Sequence, residues 1–153
     1  TSRLRECGIS PGLGAMILSM SERLGQVPDG YHSVNPYIVV TRVEGLVDFL
    51  RQVFGGVERG EREVSADGTI GHAEVQIGDS VVMLSEADAA YPSRPSVCFA
   101  YVADVDSVVQ KAVAAGAELI LEPTDQAWGD RVGGFHDPFD NRWWVATRMA
   151  HEP

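Results

Sequence analysis

The chain reads as an α+β protein of two βαβββ modules that form a cupped mixed sheet with the helices on its outer face. Three observations predict this class. A helical apolar face recurs at an offset of 62 residues, from Val43 to Val105. Each copy of that face is preceded by a short apolar run, "NPYIVV" and "SVCFAYV". Each is followed by alternating segments broken by Gly and Asp turns, "TIGHAEVQIGDSVVMLS" and "RVGGFHDPFDNRWWVAT", which align without a gap.

Taken in order, the first 29 residues begin without Met, reach "MSERLG" only at Met20 and show no sustained periodicity. They read as an N-terminal extension or a mis-set start. "GLGAMILSM" is short for a signal-peptide core and no A-x-A-like site follows it, so secretion is not expected. Residues 30–153 read as one domain, with module one at about 34–85, a polar linker at 86–94 that holds Pro92 and ends against Pro95, and module two at about 95–148. In module one "NPYIVV" is a strand, and Thr41 with Glu44 has the spacing of a capping box. Val43, Leu46, Val47 and Leu50 then form one face of an amphipathic helix that stops at Gly55-Gly56. "VERGERE", "TIGHAEVQIG" and "DSVVMLS" follow as strands, and Ala73, Val75 and Ile77 mark the core side of the middle one. His72, Glu74 and Gln76 project from its other side. In module two Asp104 is the expected helix cap, with Val105, Val108, Val109 and Ala112 on the apolar face.

Composition excludes several function classes. Acids outnumber Lys and Arg 22 to 12, a net charge of -10 with no basic cluster, so a nucleic acid backbone would be repelled. Apolar runs such as "YIVV" and "SVVML" fall far short of the ~20 residues a bilayer span needs. Cys7 and Cys98 make neither a metal spacing nor a disulfide framework, which fits a reducing, cytoplasmic setting. Cys98, amid apolar strand residues, reads as an inert core thiol.

"GHAEVQIGDSVVMLSE", the "WGD" from Trp128 and "DPFDNRWWVAT" together resemble the PhnB-like branch of the vicinal oxygen chelate superfamily of glyoxalases, extradiol dioxygenases and bleomycin-type resistance proteins. The likeness runs from about Gly30 to Arg148. Where that branch usually carries Gly and His, this chain has Asp140 and Asn141, so the turn before the last strand is expected to differ and no role is carried over to it. The resemblance implies a homodimer. It also implies a divalent ion on the first and last strands of each module in the metal-dependent members. Those places fall here on Asn35, Val82, Val97 and Trp144, which lack the carboxylates and imidazoles such an ion needs. No cofactor is therefore expected. A non-standard divalent site would have to use His72, Glu74 and His136, and the plainer reading makes these hydrogen-bonded polar residues, with Glu74 paired to Arg131 or Arg142.

Strand parity places Tyr37, Phe99, Tyr101 and Trp144 on the inner face of the cup, with His72, Glu74 and His136 as polar groups among them. Flat aromatic walls with few polar groups suit a ring-bearing small molecule. Trp143 should face the helices. Trp128, in the loop before the penultimate strand, reads either as a lid or as a loop anchor, and Gly133 and Gly134 as places where the strand bends or a ligand nears the backbone. The expected function is metal-free binding of an aromatic or conjugated organic compound, with an isomerase, lyase or dioxygenase of the same superfamily as the alternative. A pure interaction module with a filled cavity is the third class.

Overall fold

The computed structural model describes residues 27–149; residues 1–26, with Cys7 and nearly all of the expected extension, lie outside the described residues. The order is β1 (Tyr37–Val40), α1 (Val43–Phe54), β2 (Val57–Val64), β3 (Ile70–Ile77), β4 (Ser80–Glu86), then β5 (Val97–Tyr101), α2 (Val105–Ala114), β6 (Glu118–Asp125), β7 (Asp130–His136) and β8 (Arg142–Arg148). This is the βαβββ unit twice. Each module makes a four-stranded sheet, β1-β4-β3-β2 and β5-β8-β7-β6. The first strand of each pairs parallel with the last, and the other pairs are antiparallel.

The helices begin differently. Asp104 caps α2 by accepting from the Ser107 amide at 3.1 Å, as its side chain predicts. The expected Thr41–Glu44 box on α1 does not form: the N-cap is Arg42, no side chain caps it, and Glu44 reaches toward Arg62 instead. The arginine, four strand positions beyond the Glu58 it also binds, offers Glu44 a full charge where the box offers only an amide. The far end of α1 closes as expected, with Gly55 in the left-handed region at φ 66 and its N–H on the Arg51 carbonyl.

Both helices lie on one face of their sheets, and these faces meet. Ile38, Val40, Ala73, Val75, Val82 and Leu84 of the first sheet share one continuous core with Val145, Phe135 and Trp143 of the second. From α1, Phe49 and Phe54 reach across to Phe135, with ring centroids 6.1 and 6.3 Å away, and Phe54 lies 4.9 Å from Trp143. Leu46, Leu50 and Leu84 are fully enclosed there, each worth roughly 2 kcal/mol of transfer energy. Among the described residues no hydrogen bonds join β1 to β5, so the two halves of the mixed sheet stand apart within one chain and their second faces look outward from the shared core.

Candidate functional site

Two open sheet faces result, and the residues expected in one cup are divided between them. Tyr37, His72 and Glu74 stand on the first. Phe99, Tyr101, His136 and Trp144 stand on the second, with Trp128 at its rim. The register proves the parity: Glu74 lies opposite Met83 and Tyr37 beside it, while Phe99 and Gly134 flank Trp144. Tyr37, Phe99 and Tyr101 are more than half exposed, at 53%, 54% and 67%, which is unusual for aromatic strand residues. Trp128 is 60% exposed, so it is not a buried anchor.

On the first face Glu74 is the centre. It takes a hydrogen bond from the Tyr31 hydroxyl at 2.6 Å and lies 3.0 Å from His72 Nε2. The Arg131 or Arg142 partner expected for it is not there, because both arginines belong to the other sheet. Arg131 binds Asp106 and Asp125, tying β7 to the start of α2 and to β6. Tyr31 itself comes from the segment ahead of β1, where the Arg59 guanidinium sits 4.7 Å over its ring and donates to the Gly30 carbonyl. Burial alone would push the Glu74 carboxyl up; the hydrogen bonds from Tyr31 and His72, with the charges of His72 and Arg59, outweigh it and hold the group below its usual range. The same bond pushes the Tyr31 phenol up. At neutral pH the pair is thus a carboxylate with a protonated phenol, a recognition group and a weak base.

On the second face the wall is aromatic in the middle and polar at both ends. Phe99 and Tyr101 pack with centroids 5.3 Å apart, and Trp144 lies flat across Gly134, where any Cβ would strike its ring. Gly133 is likewise occupied on the other side by Val109 of α2, so these glycines serve packing and not ligand approach. At one end Tyr101 donates to Asp130 at 3.2 Å and Arg148 binds the same carboxylate at 2.8 Å. Asp130 is the first residue of β7 and almost fully buried. It orients Tyr101. The Arg148 bond, working against burial and joined by Tyr101, holds its carboxyl below the usual range. A depressed carboxyl contributes stability that is complete above its unfolded value near ~3.9 and is lost as pH falls through the lower folded value. The thermal midpoint gap between the native protein and Asp130→Asn should therefore narrow on acidification below about pH 4; a gap that stays constant from neutral pH downward would contradict this.

Behind the wall, Trp143 faces the helices as expected, buried and donating from Nε1 to Asp137 at 2.9 Å. Asp137 also accepts from the amides of Phe139 and Asn141 and from the Asn141 side chain, and Asn141 Oδ1 takes the Ser96 amide. This buried network, with Asp140 at φ 67, is what Asn141 does in place of a ligand: it ties the β7–β8 turn to Ser96, just ahead of β5. Cys98 lies half-buried on the core side of β5, and burial pushes its thiol up, which suits an inert role.

The expected metal places need one correction. Val82 points into the core, opposite Val75, so the outward residues of β4 are Val81, Met83 and Ser85. With Asn35, Val97 and Trp144 these supply no carboxylate and no imidazole, a set that does not fit a divalent ion. The alternative trio is split, since His136 is on the second sheet while His72 and Glu74 are on the first. Among the described residues no three His, Cys, Asp or Glu side chains converge, and no helix is long and apolar enough to cross a membrane.

Comparison with known proteins agrees with this fold. The sequence model described as "Glyoxalase/Bleomycin resistance protein/Dioxygenase superfamily" matches residues 30–145. An uncharacterized protein of Mycobacterium bovis is 32% identical over 122 residues, 72% of this chain and 80% of that protein. Among solved structures, TioX from Micromonospora sp. ML1 is similar with 25% identity and a TM-score of 0.59, over 76% of this chain and 99% of that one. The fosfomycin resistance protein FosX from Listeria monocytogenes, at 15% identity and a TM-score of 0.58 over 78% and 93% of the two chains, shares the fold.

Proposed function

The chain belongs to the glyoxalase/bleomycin resistance protein/dioxygenase superfamily, and from that premise we propose that it binds an aromatic or conjugated organic compound, without a metal, in a cup shared by two copies. The observation that carries this reading is the row of outward aromatic side chains, Tyr37 on one sheet and Phe99, Tyr101 and the partly buried Trp144 on the other, the first three of them exposed. Aromatic surface left open to water is costly unless something covers it, and flat rings favour flat partners. The two faces turn away from each other in one chain, so a single cup needs the first sheet of one copy opposite the second sheet of another. A twofold homodimer supplies two such cups at once.

The segments "GHAEVQIGDSVVMLSE", "WGD" and "DPFDNRWWVAT" support the PhnB-like branch, and the cytoplasm is the compartment we infer. A sequestering role, as in resistance proteins, follows better than catalysis. The rival enzyme reading rests on Tyr31, Glu74 and His72, and the lowered Glu74 carboxyl counts against it as a general base. Titration with a panel of fused-ring compounds, read by tryptophan quenching before and after chelator treatment, tests the proposal. Saturable binding near one ligand per chain, unchanged by chelator, is expected. No saturable quenching by any member, or binding that chelation abolishes, would overturn it.

A further inference from the structure

Three arginines hold side chains on the second sheet, and two are neutralised: Arg131 by Asp106 and Asp125, Arg148 by Asp130. Arg142 differs. It forms no ion pair among the described residues, and its Nε meets His136 Nε2 at 3.3 Å. A guanidinium has only hydrogens to give, so Nε2 is the lone-pair nitrogen and the ring carries its proton on Nδ1. The guanidinium charge is left whole, held in place by a neutral acceptor, and the imidazole keeps a second N–H to offer. Two donors of this kind suit the two oxygens of a carboxylate.

Position gives this pair a purpose. Arg142 and Trp144 are two residues apart on the same face of β8, about 7 Å along the strand. Val97 lies beside Arg142 as Phe99 lies beside Trp144, and His136 and Glu118 continue the row across β7 and β6. A ring stacked on Trp144 and Phe99 therefore brings its substituent to Arg142. The hollow at Arg142, about 510 Å³, is lined by Pro95, Glu118, His136, Pro138, Asp140 and Arg142 and by none of the aromatic residues of the wall, so it lies beyond the wall's end. Asp137, also in its wall, is occupied by its four N–H donors and does not compete for the guanidinium. Glu118 and Asp140 are exposed at the rim, and with the chain's net charge of -10 they select against ligands with several negative charges.

We propose that Arg142 and His136 are the anion-receiving end of the aromatic wall, so that the ligand is a planar conjugated compound carrying one carboxylate. This rests on the aromatic wall being a binding site and goes beyond it by naming the ligand class. The test is calorimetric titration of the native protein and of Arg142→Gln with 2-naphthoate and with its neutral counterpart, 2-naphthamide. Naphthoate should bind the native protein about tenfold more tightly than the amide, the scale of one charge-assisted hydrogen bond. In Arg142→Gln the acid should fall to the affinity of the amide, whose own binding reports that the variant is folded. Equal affinity of acid and amide for the native protein would overturn the proposal and leave the aromatic wall standing. A preference for the acid that survives in Arg142→Gln would also overturn it, by placing the carboxylate elsewhere. Binding of neither compound would remove both the proposal and the reading beneath it.

Discussion

Replacing Trp143 by Ala should cost the fold about 3–5 kcal/mol, the range for removing a large buried aromatic. The indole is 2% exposed and packs on Phe54 at 4.9 Å, so its loss opens a cavity where α1 meets the second sheet. It also takes one of four N–H donors from Asp137, whose buried carboxylate then faces an apolar void. For a chain of this size the thermal midpoint should drop by roughly 10–15 °C. Trp143→Phe keeps the ring contact and loses only the hydrogen bond, so it should cost about 1–3 kcal/mol. Urea unfolding of the two variants checks the order. A Trp143→Ala protein as stable as the native one would mean that β8 is out of register by one residue.

Trp144→Ala should do the opposite, costing the fold less than Trp143→Ala while weakening an aromatic ligand by on the order of 1–3 kcal/mol. Trp144 sits one residue on from Trp143 and on the other side of the sheet, partly buried, with its ring over Gly134. It is partly buried where Trp143 is fully so, and its removal therefore opens less of a cavity. It is instead the widest flat surface between Phe99 and the polar end at Arg142. Tyr37→Ala, on the other sheet, should weaken the same ligand although the two side chains belong to different faces of one chain. Quenching titrations of each variant decide this; native affinity in Trp144→Ala would show that the wall is not where the ligand lies.

These two predictions rest on strand parity, the feature that sequence displays most openly. Alternation along β3, β5 and β8 correctly sorted Ala73 from Glu74, Cys98 from Phe99 and Trp143 from Trp144, because a strand's period of two is a local property. The same holds for the Asp104 cap and the apolar face of α2, where the interacting groups are three or four residues apart. Partner choice is not local. Tyr31 reaches Glu74 across 43 residues, and Arg131 reaches Asp106 across 25. No spacing rule announces such pairs, so the expected arginine partners of Glu74 were misplaced. The mapping of Val82 failed for a smaller reason: β4 is buried on both sides, with Val81 and Val82 at 0% and 4% exposure, so its apolar run carries no alternation to read. The division of the cup between two outward faces was hidden too, since which sides of two sheets meet depends on the aromatic contacts of Phe49 and Phe54 with the other module.

The shared cup is tested most directly by mixing damage from its two walls. A Tyr37→Ala chain and a Trp144→Ala chain, carrying different affinity tags, can be exchanged and the mixed dimer isolated. In it one cup combines both lesions, and the other combines the intact first sheet of one chain with the intact second sheet of its partner. One site of native affinity per pair of chains, where neither parent dimer has any, is the predicted result. A mixed dimer that binds no better than its parents, or a protein that binds at full affinity as a monomer, would contradict it.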